Sequence, residues 1–378
     1  MKKQLLCTSA IALGVAAAAP ASAQEWDLDW GGYMSSHVAV VDTDGPVADN
    51  PANDFDGLSI FNTGEIQFTP SVTLDNGMTF GINVQLEAQN QSANGDAVDI
   101  DESYLTIKSD TFGQIDIGAE NSAGYKMSIG APEVTTMWIN SPSFSAFVPI
   151  SSAVNFNFRQ AAISSYAEVA GNNDVNRITY YTPSFNGFKL GVSYAPTANG
   201  NANQGFFAGG TTNNRAAGPL EDIWDIGVSY SQSFGTVDVD FGARYGEGSA
   251  TVAAASDPSV WGVGLNVGFS GFTIGGGYTE NDNGNGSFGP DQNGWSFGGT
   301  YETGAWTFEA LTYQGEWEDA GTGGDDQTYE GYKIGAKRAL GPGVSWDLYA
   351  IYVEGDDEGT NDTELEATIV GTAINLSF

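Results

Sequence analysis

From Trp26 to Phe378 apolar and polar positions alternate with a period of two. In the stretch 261–269, Trp261, Val263, Leu265, Val267 and Phe269 share one face, and Gly262, Gly264, Asn266 and Gly268 the other. The pattern recurs at Phe80, Ile82, Val84 and Leu86, and at Val237, Val239, Phe241 and Tyr245. Side chains of an extended strand point alternately to opposite faces, so each stretch predicts a strand with one apolar and one polar face. About sixteen such segments follow one another, starting near residues 26, 58, 78, 98, 113, 176, 187, 222, 236, 259, 272, 293, 305, 327, 344 and 364.

The connections fall into two classes that alternate. After even-numbered segments come tight turns, among them Asp75-Asn76-Gly77, Ser184-Phe185-Asn186, Ser233-Phe234-Gly235, Ser270-Gly271, Thr303-Gly304 and Gly341-Pro342-Gly343. After odd-numbered segments the connections are longer and rich in Gly, Asn and Asp, as over 281–292 and 315–326. A soluble sandwich has no reason to gather its short turns at one end, whereas a transmembrane barrel has short periplasmic turns and long outer loops. The third long connection, 121–175, runs to about 55 residues, where loops of ~15 are already uncommon. It carries Met127, Met137, Trp138, Ile139, Phe144, Phe147 and Val148. Such a loop must pack against something, and the predicted place is the barrel interior, as a constriction of the pore.

The N-terminus changes the compartment. Lys2 and Lys3, the apolar stretch 5–19 and Ala21-Ser22-Ala23 read as a signal peptide over 1–23, leaving a barrel over 24–378. Its removal takes the only cysteine and leaves ten basic residues against 47 acids, a net charge of about −37. That charge repels nucleic acid. No later stretch approaches the ~18 apolar residues of a spanning helix, so a membrane location requires a closed barrel. Aromatic residues near segment ends (Tyr33, Phe68, Tyr194, Tyr230, Tyr301, Trp306, Tyr332 and Trp346) suit the two interfacial girdles of such a barrel. Catalysis finds little support: His37 is the only histidine, no cysteine remains after export, and no phosphate-binding glycine motif opens a helix.

The strand count, the turn and loop alternation, the oversized connection after Thr111–Gly118 and the last segment, Thr368–Phe378, together resemble the sixteen-stranded general porins of Gram-negative outer membranes. In style they are closest to the porins of purple photosynthetic bacteria and their relatives. The resemblance implies an all-β transmembrane antiparallel barrel with the third loop folded into the lumen. It also implies a homotrimer, insertion by the barrel-assembly machinery signalled by Phe378, and contact with outer-membrane lipid and lipopolysaccharide. Val370, Ile374 and Leu376 share the face of Phe378. The acidic third-loop motif of enterobacterial porins has no copy here.

A channel of this kind has no active site, and its chemistry lies in the charges lining the narrowest part. Period two places the bases Arg177, Lys189, Arg244, Lys333 and Lys337 on the inward face. The same reading places the acids Glu65, Glu87, Asp116, Asp225, Asp238, Asp240, Glu309 and Asp347 there, with Glu120 and Glu133 supplied by the third loop and its base. By analogy with the porins, Glu120 and Glu133 face some of Arg177, Arg244 and Lys333. Inward acids outnumber inward bases, which predicts a cation-favouring pore. No cofactor is implied; calcium at the outer loops would use Asp282, Asp325, Asp326, Asp356 and Asp357. Two competing readings remain open: a solute-specific channel, for a sugar for example, with Tyr181, Tyr313 and Tyr349 as inward aromatics, and a secreted soluble β-sheet binding protein.

Overall fold

The computed structural model describes residues 25–88, 100–200, 218–253, 255–320, 324–357 and 363–378, so the signal peptide lies outside the described residues. The strands are β1 (Trp30–Asp44), β2 (Gly57–Phe68), β3 (Ser71–Thr73), β4 (Thr79–Glu87), β5 (Ile100–Ser109), β6 (Gly113–Glu120), β7 (Val175–Tyr181), β8 (Phe188–Thr197), β9 (Leu220–Phe234), β10 (Val237–Ala250), β11 (Ser259–Phe269), β12 (Phe272–Asp282), β13 (Gln292–Thr303), β14 (Trp306–Trp317), β15 (Gln327–Gly341), β16 (Val344–Asp357) and β17 (Thr363–Ser377). Neighbours in sequence pair antiparallel, and β17 returns to β1, from Tyr33 opposite Ser377 to Asp44 opposite Glu366. The sheet thereby closes on itself and has no free edge.

Strands β2 and β3 pair with the same edge of β4 and form one stave, broken at Thr69-Pro70 where proline has no N–H to give the ladder. The barrel therefore has sixteen staves. The expected starts agree with the observed ones to within two residues except at the first, where β1 begins at Trp30 and Asp27 makes only an isolated bridge to Ser71. The tight turns follow from local chemistry. Between Phe269 and Phe272, directly paired, stand only Ser270 (φ 50°) and Gly271 (φ 83°). Two left-handed residues in succession twist with the strands they join, and glycine bears that conformation without strain.

Burial alternates as the sequence does. On β11 the exposed positions are Trp261, Val263 and Leu265, with buried Val260, Gly262 and Gly264 between them. The exposed apolar residues form the outer wall, including Val370, Ile374, Leu376 and Phe378. Outward aromatic pairs mark the interfaces, such as Trp30 with Phe68 and Phe272 with Tyr301. Tyr33 departs from the expected girdle: it shares the inward phase of Ser35 and His37 and lines an interior cavity.

The inner face is not uniformly polar. On β16 and β17 the inward positions near the loop end are Ile351, Val353, Leu365, Ala367 and Ile369, all buried. They form one apolar cluster with Met137, Ile139, Phe144, Phe147, Val148 and Ile150 of the third loop. A wall that a loop covers has no reason to be wet, and burying this surface holds the loop against it.

Candidate functional site: the channel lumen

The third loop leaves β6 through a five-residue helix, α1 (Ala123–Met127), capped by Ser122, whose hydroxyl accepts from the Tyr125 amide at 3.1 Å. It then crosses the interior along the inward faces of β9–β17. Ala131 N–H donates to Ser296 Oγ at 2.9 Å, Thr136 N–H to Asp347 Oδ2 at 2.9 Å, and Ala161 N–H to Asn281 Oδ1 at 2.9 Å. Glu309 accepts from the amides of Val134 and Thr135 and from the Thr135 hydroxyl. Loop backbone needs such partners once it leaves water, and here inward polar side chains supply them.

The charges expected at the constriction divide into two groups. Those of the first group are shut between loop and wall. Lys333 Nζ lies 2.8 Å from Glu133 Oε1 and 3.1 Å from Glu309 Oε1, with its side chain inaccessible to solvent. Arg244 is equally enclosed and binds Asp225, the Ala167 carbonyl and, at 3.6 Å, Glu168. Arg177 is buried near the Asn172 carbonyl. Burial and the neighbouring Glu309 raise the Glu133 carboxyl above its usual value, against the pull of Lys333. Glu120 departs from expectation: its partner is Lys126 of the loop, at 2.7 Å, rather than a wall base. Burial lowers the Lys126 ammonium, but Glu120 and Glu102 outweigh it and hold the group above its ordinary range.

The second group lies towards the turn end or on the wall. Asp116 is buried and accepts from Thr106 at 2.6 Å. Lys189 lies 4.6 Å above the Tyr181 ring. Asp238 and Asp240 line a shallow pocket with Ser231 and Thr273, and Asp238 accepts from Ser233 at 2.5 Å. Lys337 lines a larger cavity beside Trp138.

Period two places Glu65 and Glu87 on the inner wall, but it does not reveal Asp101 and Glu102 of β5 beside them. Glu65 and Glu87 are directly paired across the strands, and with Asp101 they bring carboxylate oxygens within 4.8 Å of one another. Glu102, next to Asp101, also turns inward, where it accepts from Asn121 at 2.8 Å and from Gln85 at 2.9 Å. Two adjacent residues share the inner side because the register of β4 and β5 slips between Val84 and Leu86. Asp174, at the end of the loop, adds a fifth carboxyl. Burial, then Asp101 and Glu102, push it up to about 8. Opposing these acids are Lys126 and loop residue Arg159, whose guanidinium stacks 4.3 Å from the Tyr125 ring and 4.3 Å from the Phe158 ring.

The five outer-loop acids do not gather into a calcium site. Asp282 accepts from the Gly284 amide, Asp326 from the Asp319 amide and Asp357 from Gln327, while Asp325 is exposed and Asp356 half-buried. Their oxygens serve turns and strand neighbours. Among the described residues, the carboxylate groups that do converge are Glu65, Glu87 and Asp101, and, on the outer face, Glu354, Glu364 and Glu366. The three tyrosines considered for a solute ladder point inward, yet Tyr181, Tyr313 and Tyr349 are buried beneath the loop and offer no face to the lumen. His37 is buried too, its Nδ1 lying 3.2 Å from the Tyr349 hydroxyl.

The sequence profile of the Gram-negative porin family matches residues 8–360. Solved structures share the fold at low identity. A loop-deletion mutant of OmpT from Vibrio cholerae is 14% identical, covering 93% of this chain and 99% of its own, with a TM-score of 0.60. An anion-selective porin from Comamonas acidovorans is 16% identical over 94% of this chain and 100% of its own, with a TM-score of 0.59. A mutant porin of Rh. blastica is 15% identical over 93% and 100%, with a TM-score of 0.54. Curated protein sequences give no match.

Proposed function

The chain belongs to the Gram-negative porin family, outer-membrane channels rather than enzymes. On that premise we propose that it passes small hydrophilic solutes and ions by passive diffusion and favours cations. The observation that supports the preference is the lumen wall of Glu65, Glu87 and Asp101, with Glu102 beside it, which among the described residues is faced by the bases Lys126 and Arg159. Clustered charge of one sign beside a low-dielectric wall concentrates ions of the other sign. Its place differs from the analogy with porins: the acids belong to the wall and the bases to the loop. The solute-specific reading loses the tyrosine ladder on which it rested.

The test is the reversal potential of the detergent-purified protein in a planar bilayer under a potassium chloride gradient. Cation-selective, ohmic conductance supports the proposal, and anion selectivity refutes the charge assignment.

A homotrimer is part of the same reading. Towards the loop end, outward aromatics occur on β8–β16, including Tyr194, Trp224, Tyr245, Trp261, Tyr278, Trp295, Tyr332 and Tyr352. Over β17, β1, β2, β4 and β5 the corresponding outward positions are Thr368, Asp42, Leu58, Leu86 and Ser103. Lower down, Ser36 and Asn62 pair across strands on the outer wall. An arc that lacks the aromatic girdle at its loop end and carries polar side chains on its outer face suits a protein neighbour better than lipid. The remaining outer wall would meet lipid and lipopolysaccharide. Crosslinking through cysteines introduced at Ser36 and Asn62 should give covalent trimers, whereas crosslinking only through β11–β13 would place the contact elsewhere.

A further inference from the structure

We propose that Trp138 and the polar wall facing it form a weak binding station for a sugar ring on the turn side of the third loop. Of the three residues 137–139, Met137 and Ile139 are fully buried in the loop's apolar cluster, and Trp138 turns the other way, with 44% of its surface exposed. The exposed indole presents a flat apolar face, with a polar N–H at its edge, to the aqueous interior.

Its base is rigid. The Trp138 amide donates to Ser143 Oγ at 2.7 Å, and two residues earlier the Thr136 hydroxyl lies 3.1 Å from Asp347 Oδ2 and 2.9 Å from Asn375 Oδ1. The indole borders a cavity of about 530 Å³, within the range of ~300–1,000 Å³ usual for small-molecule sites. Around it stand Tyr33, Ser35, Ser345, Asn375 and Lys337, all on inward phases of the wall.

This combination fits the chemistry of a sugar. A pyranose offers an apolar C–H face that packs on an aromatic plane, and a rim of hydroxyls that both donate and accept hydrogen bonds. The indole supplies the plane, and the hydroxyl, amide and ammonium groups supply the partners. Lys337 is the only charged residue of the lining. Its cross-strand neighbour Asp347 is turned to the Thr136 amide and hydroxyl, which leaves the ammonium directed at the cavity contents. One aromatic face and a few exchangeable hydrogen bonds hold a solute briefly, as a conducting pore requires.

The experiment is ion-current recording through the full-length protein in a planar bilayer with glucose added to either side. The expected result is a reversible, saturating current reduction, reached at lower glucose from the turn side. Trp138→Leu should raise the half-blocking concentration at least about fivefold, Trp138→Phe should retain most of the block, and Lys337→Gln should raise it about twofold. A reduction that only tracks solution viscosity, or one unchanged in Trp138→Leu, overturns the station. Loss of potassium chloride conductance in the unmodified protein would instead overturn the open-channel reading on which the station rests.

Discussion

Lys333 of the barrel wall and Glu133 of the third loop, two hundred positions apart in the chain, stand 2.8 Å apart where solvent does not reach the lysine. The pair serves attachment rather than permeation: a charge that ions never meet cannot select among them. Glu309 shares the ammonium and also accepts from the Thr135 amide, so the three groups fix the middle of the loop to β14 and β15.

Removing the ammonium therefore leaves two carboxylates facing each other in a buried site. Breaking one side of a buried pair typically costs about 3–5 kcal/mol. Lys333→Met should lower the midpoint of thermal unfolding in detergent, and adding Glu133→Gln should recover part of the loss. Cation selectivity in Lys333→Met should change less than loop stability does. A full-size selectivity change at unchanged stability would place Lys333 in the ion path.

Selectivity should instead respond to the wall of β2, β4 and β5. Replacing Glu65 and Glu87 by Gln and Asp101 by Asn removes carboxylates that crowd within 4.8 Å. The ratio of potassium to chloride permeability should fall severalfold, most at low salt where screening is weakest. Stability should rise slightly, because like charges directly opposite each other on neighbouring strands are destabilising. The paired readout is reversal potential and thermal midpoint of the triple variant.

The architecture was legible in the residues because a barrel wall obeys one rule everywhere, and the period-two count and turn chemistry both express it. Ser270-Gly271 specifies a two-residue turn wherever it stands, and Trp261 to Phe269 specifies a face. The lumen was less legible for three physical reasons. Alternation shows which way a side chain points but not what covers it, so Lys333 and Arg244 lie on the inward side yet under the loop. Asp101 and Glu102 break the alternation through a register slip that no local pattern announces. The loop itself has no period, so Lys126, Arg159 and the orientation of Trp138 follow from long-range packing alone.

Asp174 makes the attachment of the loop depend on pH. Its carboxyl is pushed up to about 8 in the folded protein by burial and by Asp101 and Glu102, whereas the ordinary value is 3.8. Below about pH 4 the group is protonated in both folded and unfolded chains, and it costs nothing. As pH rises from about 4 towards 8, the unfolded chain releases the proton while the folded one retains it, so stability falls across that window. Asp174→Asn should raise the thermal midpoint at pH 8 and leave it unchanged at pH 4. An equal gain at both values would assign the effect to packing instead of ionisation.

The last residue closes the barrel. Phe378 N–H donates to the Gly32 carbonyl at 3.1 Å, and the Gly32 amide donates to the Phe378 carbonyl at 3.1 Å, so the chain end completes the ladder between β17 and β1. Its ring is 72% exposed on the outer wall, in phase with Leu376 and Ile374. The backbone bonds survive a change of side chain and the exposed ring contributes little burial, so Phe378→Ala should refold in detergent with a stability within about 1 kcal/mol of the parent. On the proposal, taken from the resemblance to porins, that Phe378 signals insertion, the same variant should reach the outer membrane poorly in cells. Heat-modifiable electrophoretic migration, compared between refolded protein and isolated outer membranes, separates the two effects. Equal loss in both would make the ring a structural element of the seam, and no loss in either would remove it from assembly.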